Sequence, residues 1–166
     1  MLDSNRQADL REPAIRDWLE ADLKNANSKW RLVAVHHPPF SSGAHHAGEQ
    51  QTRWLCDLFQ RHNVDLVISG HDHNYQRTHP LIFSNSTPGP GQRVIGTVEI
   101  HEKGIPYVIS GAAGASLHDG SNHPQSYTNI AKNIHSLSVL EVDSARLTLR
   151  QIDANGLELD ALRLTK

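Results

Sequence analysis

Between Pro13 and Asn25 the apolar residues Ile15, Trp18, Leu19 and Leu23 recur at helical spacing, with Pro13 suited to a first turn and Asn25 to an end. That pattern predicts a surface helix. The run Trp30 to Val35 (WRLVAV) is apolar and stops at His36-His37-Pro38-Pro39, where two prolines forbid ladder pairing and helix alike. It predicts a buried strand feeding a loop. Phe40 to Gly48 is polar and glycine-bearing, and Glu49 to His62 then places Trp54, Leu55, Leu58 and Phe59 on one helical face. Val64 to Ser69 (VDLVIS) follows as a second apolar strand and ends at Gly70-His71-Asp72-His73. Strand, helix and strand in this order make the pattern of a βαβ unit.

Past Pro80 the texture changes. Ser84 to Gly91 (SNSTPGPG) is rich in turn formers and reads as a loop within one core, not a linker between two. Val94 to Ile100, Tyr107 to Ser110, Leu137 to Val142, Arg146 to Ile152 and Leu157 to Leu164 all read as strands, and Asn155-Gly156 is a hairpin turn signal. Gly111 to Asn133 is small, polar and poor in aromatics, which predicts a long surface or site-facing loop. The expectation is one α/β domain over residues 1–166, strand-rich in its C-terminal half.

Composition narrows the function. A chain of 166 residues buries roughly 70% of its unfolded surface, so it needs no disulfide framework, and the lone Cys56 can form no internal bridge. Sixteen Lys plus Arg against eighteen Asp plus Glu, without a basic run, give no footprint for a nucleic-acid backbone. No stretch approaches the roughly 20 apolar residues of a membrane span, and Met1 to Asn5 lacks the regions of a signal peptide. Twelve His stand against three each of Trp, Tyr and Phe. Excess imidazole points first to metal or proton chemistry.

His71 and His73 lie two apart just after a strand, and in an extended chain both side chains project to the same side. His36 ends the preceding strand. Ligands in α/β sheets gather beyond the carboxyl ends of strands, so three imidazoles are expected on one rim if the two strands are neighbours.

VAVHHPPFSSG (Val33 to Gly43), VDLVISGHDHNYQRT (Val64 to Thr78) and YVISGAAG (Tyr107 to Gly114) resemble the later signature blocks of the calcineurin-like metallophosphoesterases, in their purple acid phosphatase-like branch. LDSN at Leu2 to Asn5 and WLEADL at Trp18 to Leu23 are similar to segments that precede those blocks. The resemblance runs over nearly the whole chain. It implies part of an αββα sandwich, two sheets between helical layers, and hydrolysis of phosphate esters at a dinuclear site. Two divalent or trivalent ions, iron with zinc, manganese or iron, are implied with it. Carried over by position, His36 and His71 match ligands of one metal and His73 a ligand of the other. His45 and His46 stand nine and ten residues after His36, where the family places histidines that meet the phosphate and protonate the leaving group. The spacing Ser41 to His45 ranks His45 slightly first, and Glu49 either orients that histidine or serves as a first-turn helix carboxylate. Two close cations lower the pKa of a bridging water and stabilise both attacking and leaving oxygens, and an imidazole of reference pKa about 6.5 suits the proton donor.

The family's upstream blocks D-x-G, G-D-x-x-Y and G-N-H-[DE] do not occur in these 166 residues. The nearest approach, Ser121-Asn122-His123-Pro124, lacks the glycine and the acid. Three histidines are too few for two catalytic metals, each of which takes about three protein ligands. The chain therefore reads as a C-terminal portion whose partner is the missing upstream half. The alternative is a non-catalytic remnant that holds one metal through His36, His71 and His73 or serves as a docking surface. Members of the family are often secreted or periplasmic; the sequence itself names no compartment. His37 is expected to orient the turn or to pack, with a metal-ligand role as the lesser alternative. His62, His79, His101, His118, His123 and His135 are expected at the surface, and Asp72, Asn74, Tyr75 and Arg77 in support of the site. Gly111 and Gly114 are expected to allow tight backbone passage.

Overall fold

A computed structural model describes residues 2–5, 8–43, 50–86, 95–118 and 124–166. Helix α1 (Pro13–Asn25) starts on its proline, buries Leu19 and Leu23, and closes with the Ala26 N–H donating to Asp22 O at 3.0 Å. Strand β1 (Leu32–Val35) follows. The helix expected over Glu49 to His62 is in fact two pieces: a 3-10 segment Gln51–Leu55 running into α2 (Cys56–Arg61). Three residues per turn eclipse positions i and i+3, so Thr52 and Leu55 both face inward and the Thr52 hydroxyl reaches the His37 carbonyl at 2.7 Å. Then come β2 (Leu66–Ser69), β3 (Tyr75–Thr78), β4 (Leu81–Ser86), β5 (Ile95–Ile100) and β6 (Tyr107–Ser110). The chain ends with β7 (Thr128–Lys132), β8 (Ser136–Val142), β9 (Arg146–Asp153) and β10 (Glu158–Thr165).

Three of these strands depart from expectation. β3 falls in the tail of the G-H-x-H motif, where no strand is expected, β4 takes in Ser84 to Ser86 of the expected loop, and β7 lies inside the expected loop Gly111 to Asn133. Residues 87–91 of that loop lie outside the described residues. β3 hides its signal because polar side chains fill it. Gln76 is buried yet donates to Asn74 Oδ1 at 2.9 Å and accepts the Ser42 N–H at 2.8 Å, so burial leaves no polar atom of this amide stranded.

The strands form a five-stranded sheet in the order β1-β2-β6-β3-β7, a three-stranded sheet β10-β9-β8 and the hairpin β4-β5. In the first, β1, β2 and β6 run parallel while β3 and β7 return antiparallel. Successive side chains of a strand point to opposite faces, and the core divides accordingly. Val67 and Tyr107 pack with Leu19, Leu23, Leu58 and Phe59 on the helical side. Their neighbours Leu66 and Val108 pack with Tyr75 against Leu147 and Leu149 of the three-stranded sheet. A helical layer and two sheets are thus stacked in an α/β arrangement, as expected. Gly156 turns the last hairpin at φ 85°, a conformation that the absence of a Cβ permits. Among the described residues no helix is long and apolar enough to cross a membrane.

Candidate metal centre

The site grows from the register of two parallel strands. Val35 is paired with Ser69 at the C-terminal ends of β1 and β2, and one residue further the Gly70 N–H donates to His36 O at 3.1 Å. The chain then turns sharply, and His71 adopts φ 68°. A residue with a side chain held there costs on the order of 1 kcal/mol. The turn swings the His71 ring onto the ring of His36, with His71 Nδ1 3.1 Å from His36 Nε2.

His37 completes a group of three. Its ring lies 4.2 Å from that of His71 and 4.9 Å from that of His36, centroid to centroid. Unlike the other two it is buried. Its Nδ1 lies 2.9 Å from Ser4 Oγ, which also accepts the His37 backbone N–H at 3.1 Å. Ser4 comes within reach because Leu2 bridges in parallel to Val35, and Gln51 Nε2 secures the Ser4 carbonyl at 2.9 Å. One ligating nitrogen from each of His36, His37 and His71 lies within 4.8 Å of the others, and among the described residues no other trio of His, Cys, Asp or Glu does so. Bonds of 2.0–2.1 Å in a tetrahedral shell place two ligand nitrogens about 3.3 Å apart, so the 3.1 Å between His36 and His71 suits a shared cation.

His73 is not one of this trio. The Asp72 N–H donates to Gly70 O and the Asn74 N–H to Asp72 O, both at 2.8 Å, so residues 71–74 are successive bends and the alternation of an extended strand does not govern them. The His73 ring stacks on that of His118 at 3.9 Å. His73 Nδ1 donates to the Ser116 carbonyl at 2.9 Å. Since a carbonyl only accepts, neutral His73 carries its proton on Nδ1 and its lone pair on Nε2. The backbone N–H of His73 donates to His118 Nδ1 at 3.3 Å. His45, His46, Glu49 and His123 lie outside the described residues.

Of the supporting residues, Asp72 sits between the two motif histidines, fully buried. The Ser41 hydroxyl donates to its Oδ2, while Oδ1 has no hydrogen-bond partner among the described residues. Tyr75 and Arg77 turn away from the site to Asp160 on β10: the hydroxyl donates at 2.7 Å and the guanidinium at 2.6 and 2.8 Å. Burial pushes the Asp160 carboxyl up, but these donors outweigh it and hold the group below its ordinary value. Burial, with Asp160 beside it, raises the Tyr75 hydroxyl. His62 beside Glu20, His101 capping Lys103 N–H and His135 donating to Ala112 O have local structural partners. Sequence reasoning gives Ser4 no role at the site, and it lies 33 residues from its partner, a separation no local motif reports.

A cleft of about 720 Å³ opens beside His36, between β1 and the edge strand β8, bordered by Asp3, Asn5, Ala34, Ile68 and Leu140.

The family of calcineurin-like phosphoesterases matches residues 1–75. Purple acid phosphatase 21 of Arabidopsis thaliana is 36% identical over 85 residues, covering 48% of this chain and 20% of its own. Tartrate-resistant acid phosphatase type 5 of Oryctolagus cuniculus is 26% identical over 157 residues, covering 90% of this chain and 42% of its own. The solved structure of purple acid phosphatase PPD1 from yellow lupin seeds superposes on 95% of this chain and 29% of its own with a TM-score of 0.76, at 22% identity. The chain thus spans a fifth to about two fifths of the length of these relatives.

Proposed function

Because the chain belongs to the calcineurin-like phosphoesterases, in their purple acid phosphatase branch, we propose that it supplies the histidine side of a metal centre that hydrolyses phosphate esters. His36 and His71 hold one ion and His73 a second, iron with zinc, manganese or iron; the carboxylate donors come from polypeptide outside these 166 residues. One observation carries the reading: imidazoles from the ends of two parallel strands converge to 3.1 Å. When bound, such ions supply Lewis acidity and a water acidified toward neutrality.

The chain's own residues do the rest. The Ser116 carbonyl keeps the His73 proton on Nδ1 and orients the ring. His45 or His46 holds the proton that the leaving oxygen takes. Support for further polypeptide comes from the cleft: among the described residues β1 is an outer strand paired on its free side only by the bridge from Leu2, and β8 is likewise an edge, with Leu140 36% and Val142 48% exposed. Apolar edge strands of this kind take up another strand.

The test is reconstitution. The upstream half, produced separately and added with iron, zinc or manganese, should restore hydrolysis of an aryl phosphate, and His71→Ala should abolish it. A well-folded mixture without turnover would overturn the reading. The second reading, a single-ion binder without turnover, is favoured by the absence of any carboxylate from the histidine trio; one tight equivalent of metal with no hydrolysis in the reconstituted mixture would establish it.

A further inference from the structure

We propose that His37 is itself a metal ligand, so that His36, His37 and His71 form a three-imidazole site for one divalent cation of the zinc type, with Ser4 holding the His37 ring. The inference goes beyond the proposed hydrolysis, which makes no use of His37, and it needs no upstream segment. Its basis is the packing of the three rings, 4.2 to 4.9 Å between centroids, with one ligating nitrogen of each inside 4.8 Å of the others.

Ser4 gives the arrangement its direction. Its Oγ accepts the His37 backbone N–H and lies 2.9 Å from the ring Nδ1, so one side chain restrains both the backbone and the ring of His37. When Nδ1–H donates to Ser4 the ring carries its lone pair on Nε2, the form in which a metal-bound histidine donates its other N–H to an outer partner. The remaining restraints act on the same residue: Thr52 fixes the His37 carbonyl at 2.7 Å, and the buried setting leaves the ring little room to swing. His71 is held in the left-handed region, and such strain persists where a site overdetermines it. Three neutral nitrogens with an open fourth position are the donor set of a four-coordinate zinc or cobalt site.

The experiment is a titration of the whole chain with Co2+, read by its visible bands, and with Zn2+ in competition with a chromogenic chelator. One equivalent with four-coordinate Co2+ bands is expected. His37→Gln should weaken it at least about tenfold, Ser4→Ala about 10- to 100-fold, and His73→Ala by no more than about twofold. Unchanged affinity in His37→Gln, or loss of the equivalent in His73→Ala, would overturn the proposal. Should His37→Gln fail to fold, the unsubstituted chain decides: on saturation with Zn2+ the side-chain 15N resonances of His37 must shift with those of His36 and His71, and a His37 ring that does not respond sinks the idea. The two readings separate cleanly, because hydrolysis in the reconstituted mixture that survives His37→Gln together with unchanged affinity would remove this site and leave the activity standing.

Discussion

Gly111 passes so close to Asp72 that a Cβ at residue 111 would lie 2.0 Å from the Asp72 carbonyl oxygen. The contact is backbone against backbone, and the Gly111 N–H is in turn tied to Asn74 O at 3.1 Å. Neither side can yield without moving the histidine bend. Gly111→Ala is therefore expected to cost about 3 kcal/mol or more, at the upper end of overpacking penalties. At Gly114 an added Cβ meets nothing within 4 Å, so Gly114→Ala should stay within about 0.5 kcal/mol. Urea midpoints of the two variants check the contrast; equal losses would show that the close approach does not govern stability. Of the two glycines expected to permit tight passage, only Gly111 has that reason.

The left-handed His71 makes a second prediction. His71→Ala keeps a Cβ in a conformation that disfavours it, whereas His71→Gly removes the penalty while deleting the same ring. The glycine variant should be the more stable of the two by about 1 kcal/mol, and both should lose metal binding. Thermal midpoints and a zinc titration measure the two effects. A glycine variant less stable than the alanine variant would mean that the bend carries no strain.

How much of this was legible beforehand divides along physical lines. Apolar strands such as Tyr107–Ser110 showed themselves by composition alone, and the turn at Asn155-Gly156 by its φ requirement. β3 did not, because the buried Gln76 and the half-buried Arg77 are held by hydrogen bonds and charge pairing rather than by apolar surface, and hydrophobic periodicity is blind to that. The site shows the same division. His36 and His71 follow strands whose parallel pairing could be inferred, and they meet. His73 was projected by an alternation that holds only for extended chain, and the bend at residues 71–74 breaks it. His37 and Ser4 owe their place to a bridge between Leu2 and Val35 that spans more of the chain than any spacing rule covers.

Asp160 ties β10 to β3, and its protonation should be visible in stability. The pair with Arg77 is nearly closed to solvent, the side chains being 8% and 12% exposed. Its carboxyl is held below its ordinary value of 3.8 by Arg77 and Tyr75 against the cost of burial. A carboxyl depressed on folding contributes its full share above the ordinary value and loses it as pH falls through the lower folded one. Stability should therefore fall as pH drops from about 5 through and below the ordinary value of 3.8, more steeply in the parent than in Asp160→Asn. At neutral pH that variant should lose about 3 kcal/mol, since Arg77 is left without its counter-charge. Denaturant melts across the pH series test both, and parallel curves for the two proteins would rule the linkage out.

The proton donor can be identified by choice of leaving group. An oxygen that departs as nitrophenolate needs little help, while an alkoxide is a poor leaving group until it is protonated. If His45 or His46 supplies that proton in the reconstituted hydrolase, replacing the responsible residue with alanine should lower kcat for an alkyl phosphate by about 10²- to 10⁴-fold. Hydrolysis of nitrophenyl phosphate should fall far less. The neighbouring variant should lower both rates alike or neither, because a residue that only grips the phosphate serves both substrates equally. Equal penalties on the two substrates in both variants would take general-acid catalysis away from this pair and leave them the role of holding the phosphate.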